Sequence, residues 1–156
     1  TPAMDAINGF SRARLPTAYA RAEPRRNAWT PAPGAEGDQW LQLAWEQPQA
    51  FNVVHVVFQN RGRLAHRNFT LERHDGSGWK KIADVENPQA HRRLVLPVGP
   101  INAQALRVVF RENVHYHGGL CELRVYQEDE PTVEMIRRIN RTVNTPVENV
   151  LLPWER

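Results

Sequence analysis

Hydrophobic residues in the middle of the chain occur in short runs that polar turns separate. Seven such runs are rich in β-branched and aromatic residues, which suit a pleated, half-buried surface. They cover residues 40–45, 51–58, 68–73, 79–85, 93–98, 105–110 and 120–126. Because no helical pattern lies between them, the sequence predicts an all-β fold, an antiparallel β-sandwich.

The first two runs organise the rest of the prediction. Residues 39–58 read QWLQLAWEQPQAFNVVHVVF, and Pro48 lies in the polar break between the two apolar runs. We interpret them as two strands joined by a turn, with their aromatic side chains in the core. Trp40, Trp45 and Trp79 are accordingly predicted to be structural.

Turns and loops are marked by glycine, proline and polar residues. Asp75-Gly76-Ser77-Gly78 predicts a tight hairpin between two of the strands. Residues 1–38 are rich in proline and arginine but contain apolar anchors such as Tyr19 and Trp29. We therefore expect an ordered, long loop region there, of the kind that often carries function.

The last thirty residues have a different pattern. Val133, Ile136, Ile139 and Val143 recur at helical spacing after Pro131, which predicts one amphipathic helix. The tail that follows contains further apolar residues, which need a cover. We divide the chain into a sandwich at 1–127 and a helix and extended tail at 128–156, and the tail either packs on its own sandwich or mediates docking to a neighbouring domain or self-association.

Composition removes several classes of protein. The 156 residues carry a formal net charge of +3, too small to indicate nucleic-acid binding, and no apolar run is long enough for a membrane span. Cys121 is the only cysteine, which excludes a disulfide-stapled mini-domain. The chain begins with Thr1 rather than methionine, so we expect a processed or excised piece. The compartment stays open, with a secreted or periplasmic location favoured.

Catalytic motifs are lacking in the sequence. It has no nucleophile elbow, phosphate-binding glycine loop or H-E-x-x-H motif. His115 and His117 would share a face of an extended segment, and His66, His91 or Cys121 could add a third metal ligand. Two histidines do not complete a zinc site, so a small metal enzyme is the weaker alternative and we expect no catalysis by this chain.

Several segments, taken in order, resemble a known family. They are AING at residues 6–9, Trp29 in the following loop, QWLQL with the Pro48 turn, FTLERHDGSGW at 69–79, ALRVVF, and GLCELRVY at 119–126. In this order they resemble the discoidin-like, or coagulation-factor type C, domains of the galactose-binding-like jelly-roll superfamily. The resemblance covers about residues 3–127, and the chain departs from the family pattern where Asn8-Gly9 replaces Asp-Gly.

The resemblance implies one cofactor, a structural calcium ion. Many relatives hold calcium between the early loop and a glutamate of the last strand, which correspond here to Asn8, Ser11 and Glu122. Asn8 supplies no charge where relatives have an aspartate, and calcium prefers charged oxygens. The alternative is that Asn8 and Gly9 form a turn and that Glu122 accepts hydrogen bonds from the loop backbone.

The resemblance also implies a ligand site at one end of the sandwich. The loops at 60–66 and 111–119 can share that end, with residues 19–29 as a third wall. Trp29 would offer a ring for stacking, and the other side chains would hydrogen-bond hydroxyl groups. The predicted ligand-binding residues are Trp29, Arg61, His66, Arg111, Asn113, His115 and His117.

The expected function is therefore that of a non-catalytic carbohydrate-binding module, which binds a carbohydrate or similar polar ligand and is appended to a larger secreted enzyme. The alternative is a structural or protein-interaction domain of a multidomain enzyme such as a glycoside hydrolase, lyase or flavin-dependent oxidoreductase. In that case the C-terminal tail would be the docking surface.

Overall fold

A computed structural model describes residues 3–7, 28–32, 34–58, 68–88, 91–111 and 119–142. After a short 3₁₀ turn at Ala3–Ala6, these residues form five strands and one α-helix. They are β1 (Gln39–Phe58), β2 (Asn68–His74), β3 (Trp79–Glu86), β4 (Arg93–Phe110), β5 (Leu120–Tyr126) and α1 (Glu130–Thr142).

The seven predicted strand segments are all extended, but the prediction of seven separate strands was wrong. β1 contains the first two segments, and β4 contains the fifth and sixth. The two long strands pair with each other along their length, with register shifts between Ala44 and Gln49 and between Phe51 and Val53. Pro48 falls within the first shift, where its missing N–H removes no ladder hydrogen bond.

The long strands create the sandwich by bending. The strand order is β3-β2-β4-β1-β5, with every pairing antiparallel. We call β3, β2 and the paired segments 105–110 and 39–44 the first sheet, and we call segments 93–97 and 51–58 with β5 the second sheet. Phe58 of the second sheet contacts Phe69 and Phe110 of the first, at ring-centroid distances of 5.8 and 6.5 Å. The two sheets therefore face each other across one core, and the predicted antiparallel sandwich is confirmed.

The core is apolar and continuous between the sheets. Its fully buried members include Phe51, Phe58, Phe110, Leu71, Leu94, Leu106, Leu120 and Leu123. Burying each of these side chains contributes on the order of 2 kcal/mol relative to exposure. The same close packing fixes the strand ends from which the loops leave.

Helix α1 covers part of the outer face of the second sheet. Asp129 caps it, because its Oδ1 accepts a hydrogen bond from the Thr132 amide at 2.9 Å. Val133 and Ile136 are buried against Val53 and Val95. The predicted helix thus packs on its own sandwich. The predicted helical residue Val143 and the tail that follows it lie outside the described residues.

No helix in the described part of the chain has the length and apolar character needed to span a bilayer.

The side chain of Asn52, on β1, links that strand to Glu128 in the segment just before α1. Its Nδ2 donates to the Glu128 carbonyl at 2.9 Å, and its Oδ1 accepts from the Glu128 amide at 2.8 Å. We expect Asn52→Ala to lower the free energy of unfolding by about 1–2 kcal/mol, because two partly buried hydrogen bonds are lost. Urea denaturation measures this loss. Asn102→Ala, at an exposed position of β4, should change stability by less than about 0.5 kcal/mol, and equal losses in both variants would contradict the bridging role.

Candidate functional site

The strand register brings four connections to one end of the sandwich, which we call the loop end. Phe58 pairs with Leu120 in the second sheet, and Gln39 pairs with Phe110 in the first. Asn68 pairs with Glu86. The described strand ends that flank residues 28–38, 59–67, 87–92 and 111–119 therefore all lie at this end. The flanks of the loops at 60–66 and 111–119 lie together, as predicted.

Trp29 lies at the loop end but is partly buried. Its ring stacks on Phe110 with a centroid distance of 6.2 Å and an interplanar angle of 19°. Its amide donates to the Leu120 carbonyl at 2.8 Å, and its carbonyl accepts from the Leu120 amide at 2.9 Å. Trp29 thus anchors the segment before β1 to both sheets, and its predicted contact with a ligand stays a prediction.

Gly119 makes this anchor possible. A Cβ placed on Gly119 would overlap the Trp29 carbonyl oxygen and lie 2.7 Å from Thr30 Cγ2. Only glycine allows two backbones to approach so closely. The position of Trp29 at the loop end is therefore set by a residue outside the predicted site.

Arg111 is the second predicted ligand-binding residue that the structure describes. Its side chain is about half exposed, and its two terminal nitrogens bind different carboxylates. Nη1 donates to Asp38 Oδ2 at 2.8 Å, and Nη2 donates to Glu72 Oε1 at 2.5 Å. The guanidinium is thus held at the rim where the first sheet meets the loop end.

A cavity of about 220 Å³ lies beside Arg111. The start of β2, the end of β3 and the residue after β4 line it: Asn68, Phe69, Thr70, Asp84, Val85, Glu86 and Arg111. Amide, hydroxyl, carboxylate and guanidinium groups can together donate to and accept from the hydroxyl groups of a ligand. The volume is below the usual range of about 300–1,000 Å³ for drug-sized ligands, so the cavity suits one small polar ring.

Asp84 supplies the cavity with a fixed negative charge. Lys81 Nζ donates to Asp84 Oδ2 at 2.6 Å, and the Thr70 hydroxyl donates to Asp84 Oδ1 at 2.9 Å. These hydrogen bonds, that of Lys81 first, hold the pKa of Asp84 below its ordinary value. The carboxylate therefore stays an acceptor down to mildly acidic pH.

The outer face of the first sheet carries a second polar and aromatic arrangement, which the sequence reasoning missed. Trp40 is 52% exposed, so its prediction as a core residue was wrong. Arg107 lies between Trp79, with its Cζ 4.0 Å from the ring centroid, and Trp40, at 6.0 Å. Trp45 does pack on the core, with its ring centroid 6.0 Å from that of Phe51.

The alternation within β1 contained a signal for this exposure. Leu41 and Leu43 share one strand face with Trp45, whereas Trp40 shares the other face with Gln42. In this first half of β1, Leu41, Leu43 and Trp45 face the core. The alternation of side chains between the two faces of the strand, rather than its overall hydrophobicity, would have placed Trp40 on the solvent-exposed face of the sheet.

Glu122, the predicted calcium ligand, is buried on the outer face of the second sheet and forms an ion pair with Arg124. His55 lies in the same region with its ring against Tyr126, at a centroid distance of 4.7 Å. Asn8 and Ser11, the other two predicted calcium ligands, lie outside the described residues, so the calcium site stays a prediction.

The remaining predicted site residues lie outside the part of the chain that the structure describes. They are Arg61, His66, Asn113, His115 and His117 for the ligand and Asn8 and Ser11 for calcium. Within the described residues, no group of three or more histidine, cysteine or acidic side chains could hold a metal ion.

Comparison with known proteins gives structural matches only. No protein-family profile and no curated protein sequence matches the chain. Solved structures do match, with probability 1.00. One is a family 32 carbohydrate-binding module of Clostridium perfringens in complex with GalNAc-β-1,3-galactose, with a TM-score of 0.51 and 18% identity over 60% of this chain and 69% of that one.

Two further structures extend the comparison. The family 32 carbohydrate-binding module of Streptococcus pneumoniae EndoD matches with a TM-score of 0.54 and 16% identity, over 66% of this chain and 77% of that one. A Ruminococcus gnavus GH29 fucosidase mutant in complex with fucose matches with a TM-score of 0.56 and 14% identity, over 81% of this chain but only 22% of that one. At these identities the matches show the fold alone, an antiparallel β-sandwich that this chain has in common with two carbohydrate-binding modules and with one part of a fucosidase chain.

Proposed function

We propose that this chain is a non-catalytic carbohydrate-binding module whose ligand binds at the loop end. The observation that carries the proposal is the cavity beside Arg111, which combines hydroxyl-directed donors and acceptors at the loop end of the sandwich. The fold supports it, because solved structures that share it include carbohydrate-binding modules. The discoidin-like resemblance of the sequence points to the same end.

In this proposal the cavity orients the sugar by hydrogen bonds. Asp84 and Glu86 accept from ligand hydroxyl groups, while the amide of Asn68 and the guanidinium of Arg111 donate to ring and hydroxyl oxygens. The ion pairs of Arg111 with Glu72 and Asp38 fix its direction before the ligand arrives, which lowers the entropy lost on binding. Trp29 and the predicted loop residues Arg61, His66, Asn113, His115 and His117 would form the remaining walls.

We also propose that the module belongs to a longer enzyme. The fucosidase chain with the same fold in one part is several times longer than the matched part, since the match covers 22% of it. A small polar cavity gives weak affinity on its own, and attachment to a catalytic domain raises the effective concentration of that domain at its substrate. An interaction role through the C-terminal tail is compatible with this arrangement.

Replacing Glu86 tests the cavity. We expect Glu86→Ala to weaken the affinity for a bound sugar about tenfold, because the loss of one charge-assisted hydrogen bond corresponds to about 1.4 kcal/mol. A glycan array first identifies which sugars the wild type binds. Calorimetric titration with those sugars, and with galactose, fucose and GalNAc-β-1,3-galactose, then measures the change in affinity. Glu46→Ala removes an exposed carboxylate at the opposite end and should leave affinity unchanged.

Two results would count against the proposed function. Equal affinities for the wild type, Glu86→Ala and Glu46→Ala proteins would place the ligand away from this cavity. Failure of the wild type to bind any sugar of the array would reject carbohydrate binding itself.

A further inference from the structure

The outer face of the first sheet presents an aromatic surface that lies outside the predicted loop-end site. We call Trp40, Glu72, Trp79 and Arg107 the sheet-face cluster. Trp40 is on β1, Arg107 on β4, Glu72 on β2 and Trp79 on β3, so the cluster extends across all four strands of the first sheet. Large apolar side chains are usually buried, so an exposed indole on a sheet face is unusual. Exposed apolar surfaces of this kind often mark interaction sites.

Glu72 holds the cluster in one arrangement. It is only 6% exposed, although it lies on the outer face. Its Oε2 accepts hydrogen bonds from Arg107, with the Nε atom at 2.6 Å, while its Oε1 accepts from Arg111 at 2.5 Å. Both carboxylate oxygens are therefore used, and the paired guanidinium of Arg107 is fixed over the ring of Trp79.

The indole of Trp40 is free to bind a ligand, whereas that of Trp79 is covered. The Arg107 guanidinium occupies the face of Trp79 at 4.0 Å but lies 6.0 Å from the ring centroid of Trp40. With half of its surface in solvent, Trp40 offers an apolar ring face beside fixed N–H donors. This combination suits the ring of a sugar, which has an apolar face and hydroxyl groups at its edge.

The cluster is aligned with the loop-end cavity. Trp40 pairs with Val109, Val109 with Thr70, and Thr70 with Asp84, so these residues form one row across the sheet. Three strand spacings of about 4.8 Å separate the ends of the row by about 14 Å. Thr70 and Asp84 also line the cavity, so an extended chain could reach from the cavity to Trp40.

The charges of this face favour an uncharged occupant. Among the described residues of this face, Arg107, Arg111 and Lys81 each form an ion pair with a nearby carboxylate. A polyanion would have to displace those carboxylates, whereas a neutral hydroxyl-rich chain can use the remaining hydrogen-bonding positions. A negatively charged polysaccharide is therefore the less suitable ligand.

We infer that the outer face of the first sheet is a second carbohydrate-binding surface, which binds an extended, uncharged polysaccharide chain by stacking on Trp40 beside the Glu72-oriented Arg107. The inference rests on the proposed function for the chemical class of the ligand, but it concerns a different surface. It makes the affinity for a long chain depend on residues that a monosaccharide in the cavity does not touch.

Affinity gel electrophoresis with galactan, galactomannan, xylan or mixed-linkage β-glucan in the gel tests this surface, with polygalacturonate as the anionic comparison. We expect at least one neutral polymer to retard the wild type, and Trp40→Ala to weaken that binding at least about tenfold through the loss of ring stacking. Trp40→Phe should retain part of it. Met135→Ala, which truncates a 42% exposed side chain on α1, is the control and should equal the wild type.

Several results would overturn the inference. The first is that Trp40→Ala binds the polymers as well as the wild type does. The second is that none of the four neutral polymers retards the wild type. The third is that Trp40-dependent binding is stronger for polygalacturonate than for the neutral polymers. A wild-type dimer that Trp40→Ala converts to monomer in analytical ultracentrifugation would instead assign the surface to a second copy of the chain.

The two proposals fail separately. If galactose or another small sugar binds in a Glu86-dependent manner while Trp40→Ala keeps full polymer affinity, only the sheet-face inference is lost. If polymer binding depends on Trp40 but Glu86→Ala changes neither polymer nor small-sugar affinity, the loop-end cavity is rejected and the sheet-face surface stands. Unchanged thermal unfolding of Trp40→Ala shows that the fold is intact in either case.

Discussion

Gly119→Ala is expected to lower the free energy of unfolding by about 3 kcal/mol, through steric overlap and the loss of two backbone hydrogen bonds. The new Cβ would overlap the Trp29 carbonyl oxygen, which is backbone and cannot move aside as a flexible side chain could. The Trp29–Leu120 pair must therefore separate. The segment before β1 would then lose its attachment to the second sheet, and the stacking of Trp29 on Phe110 would be strained.

Urea denaturation measures the stability loss, and hydrogen exchange locates it. The amides of Trp29 and Leu120 should lose protection in Gly119→Ala, since each donates to the carbonyl of the other in the wild type. Gly37→Ala is the matched control, because that glycine has a positive φ of 73° but open space around it. It should cost only the backbone strain of about 1–2 kcal/mol. Equal losses in both variants, with protection kept at Leu120, would show that the close approach at Gly119 is not needed.

Local patterns were sufficient to predict most elements of the fold. The Asp75-Gly76-Ser77-Gly78 turn, the period-two alternation beside it and the helical spacing of Val133 and Ile136 are each determined by residues close in sequence. The continuity of β1 and β4 was not predictable in this way. Pro48 looks like a loop residue, and only the partner strand shows that pairing resumes at Gln49.

In the candidate site, too, some features could be predicted from the sequence and others depend on residues that are distant in sequence. The register that brings the loop end together follows from an antiparallel sandwich, so the position of Trp29 and Arg111 there could be expected. The ion pairs of Glu72 with Arg107 and Arg111 join residues 35 and 39 positions apart, and no local pattern encodes them. The same is true of Gly119, whose role depends on the backbone of Trp29 some ninety residues earlier.

Acidification is expected to destabilise the protein through His55. This side chain is 4% exposed on the outer face of the second sheet, and Arg93, Arg124, Glu122 and Tyr126 surround it from β4 and β5. Burial, followed by the charges of Arg93 and Arg124, lowers the pKa of His55 from 6.5 to about 4. Within the described residues, its buried Nε2 has no hydrogen-bond partner that would favour the protonated form.

The sign of the effect follows from proton linkage. Between pH 6.5 and about 4 the unfolded chain binds a proton at His55 that the folded protein excludes, so stability falls as the pH decreases through this window. The full shift corresponds to at most about 3 kcal/mol. Above pH 6.5 the histidine is neutral in both states and contributes no pH dependence.

His55→Phe separates this effect from other titrations. The carboxylates of Asp75, Asp84, Asp129 and Glu134 also have lowered pKa values, so their contributions to stability are lost toward still lower pH. These four carboxylates are present in both proteins. Urea denaturation at several pH values should therefore show a flatter dependence for His55→Phe than for the wild type between pH 6.5 and 4. Parallel stability curves for the two proteins would mean that His55 is protonated, or accessible to protons, in the folded state, and would contradict its burial against the two arginines.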